Sequence, residues 1–253
     1  MSRPVSEEGR PASRADVCAA ACADLFRGAG EILASPMGTM PLVGARLARL
    51  TFEPDLVLSD GEAYLLSEPP PLGASAPLEG WLPYRRVFDV VAWGRRHVVM
   101  GANQIDRFGN QNISCLGDHD APTRQMFGAR GAPGNTVNHR TSYWVPRHTP
   151  RVFVEHVDMA SGVGYDRAGG AAGRFHDVYR VVTNLAVLDF GAPDRCMRLV
   201  SVHPGVTVDE VVAGTGFVLH TDGVQTTRVP SSTELDLLAR LDPAGLREKE
   251  VSA

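Results

Sequence analysis

The segment Met100-Gly-Ala-Asn-Gln-Ile-Asp106 places a glycine, two amides and a carboxylate directly after the apolar run His97-Val-Val-Met100. That run reads as a strand, and open α/β sheets hold ligands at the carboxyl ends of their strands. Gly101 leaves room for a ligand or backbone to come close. Asn103 and Gln104 each carry donors and an acceptor that can orient a carbonyl group. A turn capped by polar side chains uses the same residue types, so both readings stand at this point. A second special segment is Gly128-Ala-Arg-Gly-Ala-Pro-Gly-Asn135, whose glycines Gly128, Gly131 and Gly134 permit close backbone approach. A third is Ser59-Asp60-Gly61-Glu62, two carboxylates around a glycine; its plain reading is a solvated turn.

Several familiar catalytic signatures are missing. No GxxxxGK[ST] is present, and Gly28-Ala-Gly30 lacks the third glycine of a dinucleotide fingerprint. There is no HExxH and no GxSxG, since residue 159, two before Ser161, is Met. Asp118-His119-Asp120 reads as a solvated loop, because neighbouring side chains point apart unless a turn gathers them. Cys18 and Cys22 are four apart and share a helix face. With no further ligands nearby they read as core packing, and no metal site is expected.

The elements that position these segments follow the hydrophobic pattern. A helix capped by Ser13 or Asp16 runs through Val17, Ala20, Ala21 and Leu25 and ends near Gly28 and Gly30. A short strand is expected over 31–34 and a helix over 36–50, with Leu42, Val43, Leu47 and Leu50 on its apolar face. Another strand follows at 55–58. Strand, helix and strand in this order predict a parallel sheet covered by helices. Residues 67–83 are rich in Pro and Gly, and a connection this long suggests a function or an interface. Further strands are expected at 151–157, 179–190 and 197–201, and helices at 207–213 and 232–241. Residues 1–13 read as a disordered lead-in, and 14–253 as a single domain.

Bulk properties are those of an ordinary globular protein of 253 residues, 43% hydrophobic and 21% charged. A net charge of −4 gives no electrostatic reason to expect nucleic acid. Lys249 is the one lysine among 25 cationic residues, a skew that speaks of genome composition and not of recognition. No stretch approaches the ~20 apolar residues of a membrane span, and the N-terminus lacks the apolar core of a secretory signal. A cytoplasmic protein with reduced thiols is expected.

The order of motifs carries more. Met100-Gly-Ala-Asn-Gln-Ile-Asp-Arg-Phe-Gly-Asn-Gln-Asn112 resembles the G-A-x-Q-[VI]-D-x-x-G-N-x-N stretch of class I CoA transferase beta subunits. Phe153-Val-Glu-His-Val157, Arg180-Val-Val-Thr-Asn184, His203-Pro-Gly-Val-Thr-Val208 and Gly214-Thr-Gly216-Phe217 follow in the family order. The match spans about residues 15–220. Within that family, Leu33-Ala-Ser-Pro-Met-Gly-Thr39 and Ser59-Asp-Gly61 resemble the IpdB type, a subunit of the IpdAB enzymes of steroid-ring degradation.

The resemblance implies the α/β fold of the CoA-transferase (NagB/RpiA-like) superfamily, a mostly parallel sheet flanked by helices. It implies an obligate heteromer with an alpha subunit, α2β2 in form, with the active site at their interface. Gly101, Asn103, Gln104, Gly128, Gly131 and Asn135 are the substrate-binding candidates it suggests. The 128–135 segment takes the place of the family's oxyanion loop, where backbone N–H groups meet a developing negative oxygen. Pro133 has no N–H and cannot be one of the donors.

The transferase motif S-E-N-G supplies a nucleophilic glutamate, and here Asp60 takes its register with Glu62 two residues on. The aspartate is one methylene shorter, and a misplacement of about 1 Å can cost ~100-fold in rate. The resemblance therefore implies hydrolysis in place of transfer: opening of a carbon ring in a steroid-derived (cholesterol C/D ring) CoA thioester by water addition and C–C cleavage. The main base is then expected in the alpha subunit, with CoA as part of the substrate and no cofactor. The alternatives are a CoA transferase using Asp60 or Glu62 on a small carboxylic acid, and a non-catalytic stabilising subunit.

Overall fold

The computed structural model describes residues 4–6, 9–60 and 63–251. Gly61 and the candidate carboxylate Glu62 lie outside the described residues. The chain groups into two compact units, one of residues 1–100, 203–205 and 226–253, the other of 101–202 and 206–225. The sequence reading has one domain over 14–253.

The first unit opens with α1 (Arg14–Asp24), β1 (Leu33–Pro36), α2 (Thr39–Thr51) and β2 (Val57–Ser59). It continues through β3 (Tyr64–Leu66), β4 (Leu78–Trp81), α3 (Tyr84–Trp93) and β5 (Arg96–Met100). Ser13 caps α1, and Asp16 returns the bond to the Ser13 N–H in a capping box. Both capping candidates are thus used. Cys18 and Cys22 are buried on this helix, and burial pushes both thiols well above their ordinary range. Gly44 of α2 packs against Cys22, since a Cβ there would lie 2.7 Å from that of Cys22.

β5, β1 and β2 run parallel, with Leu33 opposite both Arg96 and Val57, and β3 and β4 add antiparallel strands. This is the parallel sheet that the strand–helix–strand order predicts. Pro36 belongs to β1 and Gly38 holds φ +103, so α2 starts three residues later than expected. The stretch 67–83, expected to be irregular, contains β4.

The second unit begins with the hairpin β6 (Gln104–Ile105) and β7 (Gln111–Asn112), then β8 (Cys115–Leu116) and β9 (Arg124–Gln125). It continues with α4 (Ala132–Asn138), β10 (Arg140–Val145), β11 (Asp177–Thr183), β12 (Ala186–Asp189), β13 (Arg198–Val202) and α5 (Val208–Ala213). β10 and β11 are parallel, while β11, β12 and β13 are antiparallel. The single strand expected over 179–190 is therefore a hairpin. Thr183 turns it, its Oγ1 accepting from the N–H groups of Leu185 and Ala186 at 3.0 Å each. The strand expected over 151–157 is absent. The Val152 and Phe153 N–H groups both bond the Thr149 carbonyl in a turn, and Phe153 makes one bridge to Ile105.

The chain then returns to the first unit with α6 (Ser232–Leu241) and α7 (Leu246–Val251). Arg247 joins α7 to α1 and the end of α6, meeting Asp16 at 2.9 Å and Asp242 at 3.1 Å. In the lead-in, Val5 bridges Pro11 and Ala12 is buried, so its described residues depart from the disorder expected there. Among the described residues no helix is long and apolar enough to cross a membrane.

Candidate active site

The 101–112 segment folds as a tight hairpin because its polar side chains satisfy one another. Asp106 Oδ1 accepts the N–H groups of Phe108 and Asn110 at 3.0 Å, and Oδ2 accepts the Asn110 amide at 2.8 Å. Asn110 also donates to Asp166 and accepts the Gly164 N–H, each at 2.8 Å. Burial raises the Asp106 carboxyl above its usual range, and the bonds from Asn110 and Phe108 pull the other way. Gly109, at φ +86, faces the Phe190 ring, where a Cβ would come within 2.8 Å. Asp106, Gly109 and Asn110 of the sequence motif therefore build the turn.

The structure separates the two candidate amides. Gln104 is buried, and its carbonyl accepts the Asn112 amide at 2.7 Å and the Asp158 N–H at 3.0 Å. Its own amide donates to Asp158 Oδ2 at 3.1 Å. Gln104 thus ties the hairpin to the 158–162 segment, and its role in orienting a ligand carbonyl gives way to a framework role. Asn103 is exposed, bound through its backbone N–H to the Asn112 carbonyl. Of the pair, Asn103 is the side chain presented outward.

Gly101 is exposed, with nothing nearer its Cβ position than the Trp144 carbonyl at 4.0 Å. Its carbonyl accepts the side-chain amide of Gln111, a fully buried residue that the sequence reading passed over. A carbonyl only accepts, so the Gln111 amide nitrogen faces Gly101. The Gln111 carbonyl oxygen is left buried without a hydrogen-bond donor among the described residues.

The 128–135 segment is half loop and half helix. Gly128 sits at φ +77 and Arg130 at φ +51, the second a strained conformation for a residue with a side chain. α4 then starts at Ala132, and Pro133 fits its first turn, where no intrahelical N–H bond is lost. Asn135 lies inside α4 and is buried, its side-chain amide 3.6 Å from the Cβ position of Gly131. The N–H groups of Ala129, Arg130 and Gly131 donate no hydrogen bond among the described residues. They are the donors this loop can aim at an anionic oxygen.

Asp60 follows directly on β2, and its Oδ1 accepts the N–H groups of Ala63 at 3.0 Å and Tyr64 at 3.1 Å. It closes the turn into β3. Ser161 is likewise structural, its hydroxyl accepting the Ile113 N–H and contacting Ser114 at 2.7 Å. Asp118 closes a turn on Asp120, and His119 lies 4.0 Å from Cys115. Among the described residues no three His, Cys, Asp or Glu side chains gather closely enough to hold a metal ion.

The later motifs converge on His148, which sequence reasoning missed. Its Nδ1 meets Thr183 at 3.1 Å and its Nε2 meets Thr215 at 2.9 Å. Thr183 belongs to the Arg180–Asn184 motif, and Thr215 to Gly214-Thr-Gly216. The ring stacks on Phe153 at 3.9 Å, and burial pushes its pKa down to about 3. A conspicuous Thr in each of two motifs was the one available signal, and it named no partner.

The coenzyme A transferase family model matches residues 94–214. The cholesterol ring-cleaving hydrolase IpdB subunit of Rhodococcus jostii is 60% identical over 256 residues, covering 100% of both chains. The subunit of the same name from Mycobacterium tuberculosis H37Rv is 60% identical, over 94% of this chain and 98% of that one. The crystal structure of Rhodococcus jostii RHA1 IpdAB superposes with a TM-score of 0.92 at 60% identity, over 96% of this chain and 99% of that one. With likeness of this degree along its whole length, the chain belongs to the coenzyme A transferase family, alongside the IpdB subunits it matches.

Proposed function

We infer that this chain is the beta-type subunit of a heteromeric ring-cleaving hydrolase acting on a steroid-derived CoA thioester. The observation that carries the reading is the 60% identity, without a gap in coverage, to a cholesterol ring-cleaving hydrolase subunit. Asp60 agrees with it, because in the register of the transferase glutamate it is one methylene shorter and one of its oxygens caps a turn. In the reaction, water adds to a ring ketone and the adjacent C–C bond breaks. The departing carbon keeps the electron pair and takes a proton, and the ketone carbon becomes a carboxylate. A base from an alpha-type partner activates the water. This chain supplies the outward-facing Asn103, the open Gly101 and the N–H groups of the 129–131 loop. CoA remains on the product, no cofactor takes part, and the assembly works in the cytoplasm as α2β2.

Turnover of the assembled enzyme in isotopically labelled water tests this. Label in a new carboxylate, with the thioester retained, is the expected result. CoA appearing on an added acceptor acid, with a modified Asp60 or Glu62, would establish the transferase instead.

A further inference from the structure

Gln111 is fully buried, yet only half of its side-chain amide is used. The nitrogen donates to the Gly101 carbonyl, and the oxygen lies beside Gly162 with no donor among the described residues. The hydroxyl on the other side of Gly162, Thr136 Oγ1, donates elsewhere, to the Ala132 carbonyl at 3.1 Å. Reversing the amide would set two acceptors against each other at Gly101. A glutamine here therefore carries the desolvation penalty of an unmet carbonyl, which a methionine of similar length would avoid. Packing alone does not account for it; the bond to Gly101 does.

That bond fixes a peptide plane. The peptide between Gly101 and Ala102 is trans, so the Ala102 N–H points opposite to the Gly101 carbonyl, away from Gln111. Gly101 has no Cβ to restrict its backbone, and the plane can turn unless its carbonyl is held. The next N–H along, that of Asn103, is taken by the Asn112 carbonyl at 3.0 Å. The Ala102 N–H donates no hydrogen bond among the described residues, and the residues on either side of it are exposed. It is a backbone donor held in one direction by a buried side chain.

We propose that Gln111 is a positioning residue for the Ala102 N–H, and that this N–H donates to the ring ketone oxygen of the substrate. The proposal rests on the ring-cleaving reading above and adds a donor to it. Water addition to the ketone turns its oxygen into an oxyanion. A donor fixed in advance meets that charge without reorganising as it develops. Gln111 acts from behind the peptide and does not touch the substrate. Its amide keeps the Gly101 carbonyl turned inward and the Ala102 N–H turned outward.

Gln111→Met in the assembled enzyme removes the clamp and the unmet oxygen together. Its melting midpoint should equal or exceed that of wild type, while kcat falls about 10–100-fold at unchanged KM. A merely structural Gln111 gives the reverse, a lower midpoint with kcat retained. Replacing Ala102 by lactic acid, which turns the amide into an ester, deletes the N–H and leaves every side chain in place. That change should lower kcat about 10²–10³-fold, and it decides the matter if Gln111→Met does not fold. Wild-type kcat in the ester enzyme, or in a folded Gln111→Met assembly, would overturn the proposal and leave ring hydrolysis by the wild type intact. A wild-type assembly that hydrolyses no ring in labelled water would overturn the parent reading, and the proposal with it.

Discussion

A Cβ on Gly214 would stand 3.0 Å from ring carbon Cδ2 of His148, so the buried imidazole fills the space that any larger residue at 214 would need. Two residues on, a Cβ on Gly216 would stand 2.5 Å from the Phe153 carbonyl. Thr215, held between them, bonds the His148 Nε2. The Gly-Thr-Gly motif is thus a fitted surface around a stacked His148–Phe153 pair, and its glycines are required by packing.

Stability should therefore fall with acid in a way traceable to His148. Its folded-state pKa, about 3, lies below the roughly 6.5 of an unfolded histidine. The folded protein then binds fewer protons than the unfolded chain across that window. The contribution is complete above pH ~6.5 and is lost as the pH falls toward 3, by up to about 1.4 kcal/mol per pH unit. Urea midpoints of wild type and His148→Gln between pH 4 and 8 check this. The variant should be less stable at pH 8 and show a shallower acid slope.

Gly216→Ala should destabilise by about 1–3 kcal/mol, because its obstacle is a backbone carbonyl that cannot rotate away. Gly101→Ala, with open space around it, is the natural control and should move the midpoint little. Equal losses in the two would mean that the backbone at 216 relaxes freely.

The two neighbouring amides should behave as opposites. Gln104→Ala removes the buried carbonyl that accepts the Asn112 amide and the Asp158 N–H, at a cost of about 1–3 kcal/mol in stability. Asn103→Ala removes an exposed side chain and should leave stability within about 0.5 kcal/mol. If Asn103 orients the substrate, kcat/KM in the assembled enzyme falls all the same. Thermal melts paired with steady-state kinetics separate the two effects.

Much of this was legible in the sequence. Ser13 and Asp16 form the capping box at α1, and the strand–helix–strand order of 31–58 gave the parallel sheet. The misses have physical causes. Asn103 and Gln104 look alike in a sequence, and only the hairpin's pairing turns one inward. The run 151–157 has strand-like residues, but Thr149 captures its backbone in a turn. Asn135 reads as loop because Gly and Pro precede it, yet Pro133 in the first turn is compatible with a helix. The threonines of two motifs did not name His148, because they lie 35 and 67 residues away from it.

Asp60→Asn distinguishes a turn cap from a nucleophile. An asparagine side-chain carbonyl can still accept the Ala63 and Tyr64 N–H groups. Turnover should then stay within a few-fold of wild type. A loss of several orders of magnitude, with stability unchanged, would return Asp60 to the chemistry.

The loop at 128–131 gives the last prediction. Gly131 has ordinary backbone angles, φ −86, and the nearest neighbour of a Cβ there is the Asn135 amide at 3.6 Å. A side chain at 131 is therefore accommodated by the fold, and Gly131→Val should shift the melting midpoint little. The Gly131 N–H, however, is one of those with no bond inside the described residues. A branched side chain beside it would hold a ligand's oxygen away from hydrogen-bond range. Losing one such donor in an oxyanion site costs about 10²–10³ in kcat. The expected result is a large fall in kcat at nearly constant stability, measured in the assembled enzyme. A parallel fall in both would identify the loop as structural, and unchanged kinetics would place the reacting oxygen elsewhere.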